Sequence, residues 1–279
     1  MPVSMAALAD DLAAESAELR AILAPLDHHG WARDTPAEGW TIADQVSHLA
    51  YFDDVALQSA TDPDAFHAEL ERIGAEGGVN PDAVVARFRD LSGREVLRWF
   101  DLSRERLIDT FRGLDPGLRV PWFGPPMSAA SSLTARIMET WAHGQDVADA
   151  LGVLREPSAR LRHVAHIGVG ARAFSYALHG RELPAAPVRV ELDAPDGSLW
   201  TWGPADAADR ITGTALDFAL LITQRRHRDD LALVVTGPAA REWVEIGQAF
   251  AGEPGTGREP GLFVGGVRGR PAAPRRSGR

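Results

Sequence analysis

The sequence predicts a mainly α protein, a helical bundle followed by a small α+β domain, and three observations carry that expectation. From Met5 to about Leu178, apolar residues return every three or four positions, the spacing of helices buried on one face. After Pro184-Ala185-Ala186-Pro187 the period falls to two. Val188-Arg189-Val190-Glu191-Leu192 and Leu199-Trp200-Thr201-Trp202 alternate about a Pro195-Asp196-Gly197 turn, which is the pattern of a β-hairpin. Finally, 279 residues, 45% hydrophobic and 24% charged, suffice for two modest cores. The bundle is placed at residues 1–182 and the α+β domain at 187–252. Residues 253–279, mostly Gly, Pro and Arg, are expected to form a disordered tail.

Met5 to Leu26 carries Leu8, Leu12, Leu19, Ile22 and Leu23 on one stripe, and Pro25 marks its end. Thr41 has the character of an N-cap, with Asp44 three residues on, and the helix it starts runs to about Ser59. A short helix lies within 62–76. Pro81 opens a long one to Leu114, with Gly93 as a point of irregularity. The breaker-rich loop 113–126 contains Trp122 and Phe123. Helices over 128–151, closed by Gly152, and 156–178 complete the bundle. Beyond the hairpin, a helix over 212–223, a strand over 231–235 and a helix over 239–250 are expected.

Composition excludes several chemistries. All 29 basic residues are Arg, so Schiff-base chemistry and a lysine general base are absent. There is no Cys, hence no disulfide, no thiolate ligand and no cysteine nucleophile. The 39 acids against 29 bases give a net charge of −10, which disfavours a nucleic-acid partner. Neither a signal peptide nor an apolar run of about 18 residues is present, so no membrane partner is expected and the reading is cytoplasmic.

The stretch richest in chemistry is Met138-Glu139-Thr140-Trp141-Ala142-His143-Gly144-Gln145-Asp146. Glu139 and His143 are four apart and leave one helix face a turn apart, so a carboxylate oxygen and an imidazole nitrogen can close on one divalent ion. Such pairs also arise freely on solvated faces. A third ligand is available in His48, which like the pair lies among apolar residues, and two His with one Glu is the donor set of an open, catalytic site. Asp146 shares their face and is expected to orient an imidazole by accepting from its other nitrogen. His163 and His166 form a competing pair without a third partner, and packing explains them better.

Thr35-Pro36-Ala37-Glu38-Gly39-Trp40-Thr41-Ile42-Ala43-Asp44-Gln45-Val46-Ser47-His48-Leu49, taken with Met-Glu-Thr-Trp-Ala-His-Gly-Gln-Asp-Val from Met138, resembles the DinB-like metal-binding superfamily. The resemblance is specifically to its mycothiol-dependent maleylpyruvate isomerase branch. Gly197, Trp202-Gly203, Ile211-Thr212-Gly213 and the segment from Trp243 to Phe250 resemble the sterol-carrier-like module that follows the bundle in that branch. The resemblance implies a four-helix bundle holding a divalent metal, usually zinc, through His48, Glu139 and His143.

It also implies an enzyme that activates a small-molecule thiol, mycothiol or another of low molecular weight, for addition to an electrophilic substrate. Reversal of the addition gives an isomerase, and retention an S-transferase. Arg87, Arg89 and Arg225 are the candidates for holding an anionic thiol cofactor or a dicarboxylate. Trp40, Trp122 and Trp141 are the candidates for the pocket mouth. Two other readings stand beside this one: a metal-braced protein that binds an apolar small molecule, and a biosynthetic enzyme that uses Lewis-acid chemistry without a thiol.

Overall fold

Helix starts with well-formed caps set out the first unit. In the computed structural model, which describes residues 4–75, 78, 80–255 and 257–263, α1 (Met5–Leu23) begins where the Ser4 hydroxyl accepts from the Ala7 N–H. A single turn, α2 (His28–Trp31), follows. α3 (Ile42–Thr61) opens with a complete capping box between Thr41 and Asp44. Then come α4 (Pro63–Ala75), α5 (Pro81–Ala86), α6 (Gly93–Arg112), a minimal antiparallel pair β1 (Arg119–Val120) and β2 (Met127–Ser128), and α7 (Ala129–Leu151). Gly152 closes α7 in the left-handed conformation, φ 67°.

The long helix expected from Pro81 to Leu114 is two helices. Ser92 and Glu95 form a second capping box that restarts the chain at Gly93. A Cβ at Gly93 would overlap the Trp31 indole, so that glycine is where α6 packs tightly against α2.

α1, α3, α6 and α7 form the four-helix bundle. One apolar cluster joins Leu8 and Leu12 of α1, Leu57 of α3, Leu107 and Phe111 of α6, and Leu133 and Ile137 of α7. The other joins Leu19 and Leu23, Val46 and Leu49, Val96 and Phe100, and Val147. Cluster membership gives the directions: α7 runs parallel to α1, and both are antiparallel to α3 and α6.

Between the clusters lies a buried polar layer. The Asp53 carboxylate accepts from Arg104 Nε at 2.7 Å and from Arg136 Nε at 2.9 Å. Arg104 also donates to the Ser16 hydroxyl and to Thr140 Oγ1, at 2.9 Å for the latter, so all four helices meet there. One carboxylate thus serves two buried guanidiniums, with the Ser16 and Thr140 hydroxyls and the Leu49 carbonyl accepting further N–H groups.

The second unit begins at Leu154. It comprises α8 (Leu161–Gly170), α9 (Arg172–Leu178), β3 (Val188–Asp193), β4 (Leu199–Trp202), β5 (Asp209–Thr214), α10 (Ala215–Ile222), a 3₁₀ turn at Arg228–Asp230, β6 (Val234–Thr236) and α11 (Pro238–Ile246). The sheet order is β4-β3-β5-β6, with β3 and β5 parallel and the other neighbours antiparallel.

Three expectations change here. The boundary expected after residue 182 falls between Val153 and Leu154, because α8 packs on α10, closely enough that a Cβ at Gly168 would overlap Ile222. The helix expected from Thr212 begins at Ala215, because Asp209–Thr214 pairs with β3 and Thr214 caps the helix. The tail expected from residue 253 is in part packed. The Gly261 N–H donates to Asp230, at 2.8 Å to one carboxylate oxygen, and the Arg226 guanidinium lies 4.0 Å from the Phe263 ring centroid. The rest of that tail, 264–279, lies outside the described residues.

Candidate metal centre

Helix α3 is fixed at its start. Arg89 donates from Nε and Nη2 to the two oxygens of the buried Asp44 carboxylate, at 3.0 and 3.2 Å, and from Nη2 to the Gly39 carbonyl at 2.9 Å. One turn further on, Gln45 and His48 leave α3 on one face, three residues apart. Helix α7 is held against α3 beside them, since Arg136 reaches the Leu49 carbonyl at 3.1 Å as well as Asp53. Glu139 and His143 follow Arg136 on α7.

The three residues singled out in the sequence meet. Ligand-capable atoms of His48, Glu139 and His143 all lie within 4.8 Å of one another. Glu139 Oε2 is 3.2 Å from His143 Nε2 and 3.9 Å from His48 Nε2. Ligand atoms bound to one tetrahedral ion at about 2.1 Å are roughly 3.4 Å apart, so these spacings fit a single ion.

The donor chemistry fits too. Burial, with the neighbouring His143 next in weight, pushes the His48 imidazole down to about 4, so near neutral pH it is uncharged with a lone pair to offer. Burial raises the Glu139 carboxyl, but hydrogen bonds and charge from His143 and His48 outweigh it and hold the group well below its ordinary value. His48 is 9% exposed, and its Nδ1 has no hydrogen-bond partner among the described residues, so its polar neighbourhood is on the Nε2 side.

Aromatic rings wall the site. Trp40 stacks on His143, with centroids 5.9 Å apart and planes 13° apart, and sits 5.2 Å from His48. Its indole N–H donates to Asp82 of α5 at 2.7 Å. Phe52 lies 4.6 Å from His48 on another side and continues into Trp122 and Phe123. Trp141 is buried.

Other expected residues are placed differently. The acceptor for His143 Nδ1–H is Gln45 Oε1, so the orienting role expected of Asp146 on that imidazole belongs to Gln45. Gln45 in turn donates to Thr35 Oγ1 at 2.9 Å. Asp146 is fully buried. Arg89 pairs with Asp44 and the Gly39 carbonyl, at the start of α3.

Arg87 lines a cleft of about 1200 Å³ among α3, α4 and α6 whose lining includes none of the three candidate ligands. Arg225 belongs to the second unit, where it donates to the Thr223 carbonyl and lies 5.9 Å from the Phe250 ring centroid. Gln45 was missed in the sequence, and the one signal for it is its place three residues before His48 on the same helix face. Thr35 had no such signal, because it is brought in by a loop.

Comparison with known proteins bears on this geometry. Residues 12–148 match the family model described as mycothiol maleylpyruvate isomerase N-terminal domain, a span that includes all three candidate ligands. Residues 184–236 match a model described as wyosine base formation, where a sterol-carrier-like module was expected. Two uncharacterized proteins from two strains of Mycobacterium tuberculosis are each 46% identical over 248 residues, 89% of this chain and 96% of theirs. Crystal structures of the mycothiol-dependent maleylpyruvate isomerase and of a point mutant of it align with a TM-score of 0.55. They are 16% and 17% identical, and the alignment covers 85% of this chain and 94% of theirs, a likeness of fold.

Proposed function

We propose, because this chain belongs to the mycothiol maleylpyruvate isomerase N-terminal domain family, that it is a divalent-metal enzyme in which a small-molecule thiol adds to an electrophilic carbon of its substrate. Convergence of His48, Glu139 and His143 at one point is the observation that carries this reading. A divalent ion held there, most simply Zn2+, would supply Lewis-acid chemistry that makes a thiolate available near neutral pH.

The chain's own residues prepare for this. His48 and Glu139 present a neutral imidazole and a carboxylate, so a divalent ion held by Glu139 and the two histidines would keep net positive charge, open to an anionic sulfur. With no Cys in the chain, no internal thiol competes for that position. The faces of Trp40 and Phe52 restrict water on the ligand side and offer an apolar wall to a conjugated substrate. Among the described residues, no helix is long and apolar enough to cross a membrane.

Thiol addition reversed after bond rotation gives isomerisation, and an adduct that is kept gives transfer. The experiment loads the purified protein with Zn2+ and offers mycothiol, and separately other small thiols, with conjugated carbonyl substrates. Isomerised or thiol-bearing product, lost on chelation and in His143→Ala, is expected. A loaded protein that neither binds a thiol nor alters any electrophile would defeat the proposal, and apolar-ligand binding in its place would favour a carrier.

A further inference from the structure

Gln45 is completely buried, and its amide orientation is set by its neighbours. The Thr35 hydroxyl donates to the Trp40 carbonyl at 2.8 Å, so the Thr35 oxygen is left to accept from the Gln45 Nε2–H at 2.9 Å. That turns the Gln45 carbonyl oxygen toward His143 Nδ1, the other end of the same hydrogen-bonded chain. An amide oxygen only accepts, so His143 Nδ1 carries a proton, and Nε2, the nitrogen that faces Glu139 at 3.2 Å, is the one left to a metal ion. Trp40 closes the arrangement, since its carbonyl terminates the chain and its ring stacks on the imidazole so oriented.

We infer that Gln45 is a positioning residue that both fixes the His143 tautomer for metal binding and, being uncharged, keeps the bound ion electrophilic enough to take an anionic thiolate. The inference rests on the metal reading above and deepens it. Orienting acceptors on ligand imidazoles are commonly carboxylates, which raise ligand basicity and add negative charge near the ion. Here the acceptor is an amide. It orients without that charge, and Glu139 stays the single anionic group among the residues that converge at the site.

Three variants separate orientation from charge. In Gln45→Leu the acceptor is lost, in Gln45→Glu the acceptor is kept with a charge added, and in Thr35→Val the buried Gln45 stays but loses its partner. Zn2+ affinity is measured by chelator competition. Thiol uptake is read from the sulfur-to-metal charge-transfer band of the Co2+-loaded protein titrated with 2-mercaptoethanol, with thermal midpoints and far-ultraviolet circular dichroism as the fold control.

Gln45→Leu is expected to weaken Zn2+ binding by about 10–100-fold, and Thr35→Val by a smaller factor. Gln45→Glu should bind Zn2+ at least as tightly as the parent, while its Co2+ form takes up the thiol about tenfold less readily. If Gln45→Leu fails to fold, Thr35→Val and Gln45→Glu decide. Unchanged Zn2+ affinity in every folded variant lacking the acceptor or its Thr35 partner overturns the inference. So does a Gln45→Glu variant that takes up thiol as the parent does, or one that loses Zn2+. A parent protein that binds neither Zn2+ nor Co2+ overturns the metal reading itself, and the two failures are thus told apart.

Discussion

Acid should destabilise the metal-free protein through the buried His48, and its environment sets the direction of the effect. His48 is buried with its imidazole lowered from 6.5 to about 4, burial being the main cause and the neighbouring His143 the next. In the unfolded chain the same imidazole takes a proton near pH 6.5, so between that pH and about 4 the unfolded state binds more protons than the folded one. Stability therefore rises with pH across the window and falls as the solution is acidified. At about 1.4 kcal/mol per tenfold change, the full loss is roughly 3 kcal/mol, most of it incurred before pH 4.5.

Glu139 acts in the same sense but lower down. Its depressed carboxyl contributes stability that is complete above the ordinary glutamate value and disappears only as pH falls toward its own lowered one. The two can thus be separated by pH. Urea denaturation of the metal-free protein at pH 7.0, 6.0, 5.0 and 4.5, on parent and His48→Leu, measures the term. Parent stability should fall steeply over this range, while the variant, lacking the imidazole, shows a distinctly shallower slope. If the slopes coincide, His48 is not held neutral by burial and the account of its environment is wrong.

The candidate metal ligands should be separable from the fold: Glu139→Gln and His143→Ala are each expected to lower Zn2+ affinity by at least about 100-fold while helical content by circular dichroism stays near the parent's. The polar layer should behave oppositely. Asp53→Ala leaves Arg104 and Arg136 buried without their counter-charge and should cost about 3–5 kcal/mol in chemical denaturation. Gly93→Ala, which drives a methyl group into the Trp31 ring, should cost about 1–3 kcal/mol and perturb tryptophan fluorescence.

Legibility from sequence followed locality. His48, Glu139 and His143 could be found because i,i+4 spacing is itself a statement about space, and because the flanking apolar residues turn both helices' functional faces toward a seam. The Thr41–Asp44 cap could be read for the same reason, its partners being three residues apart. Ser92 and Glu95 offered an equally local signal, but the apolar stripe across 81–114 outweighed it, and only the packing of Gly93 on Trp31 shows why the chain must restart there. What stayed hidden depends on contacts distant in sequence. Gln45 meets His143 across 98 residues, Arg89 meets Asp44 across 45, and Arg136 meets Asp53 across 83. No periodicity encodes such pairs. β5 was missed for a related reason, since Arg210-Ile211-Thr212-Gly213-Thr214 becomes a strand by pairing with β3, on which its own short alternation depends.

The arrangement also argues about what the ion would be for. A structural metal compensates for a core too small to hold a fold, and such sites close all their ligand positions. This bundle has two apolar clusters, one on each side of a polar layer in which Asp53 bridges Arg104 and Arg136. All four helices are thus joined without any contribution from His48, Glu139 or His143. Those three add nothing that the core lacks. Their placement keeps a carboxylate and two imidazoles close together, at the cost of a buried histidine held far from its ordinary protonation. A histidine so held, in a bundle already joined by its core, supports the proposed chemical role over a bracing one.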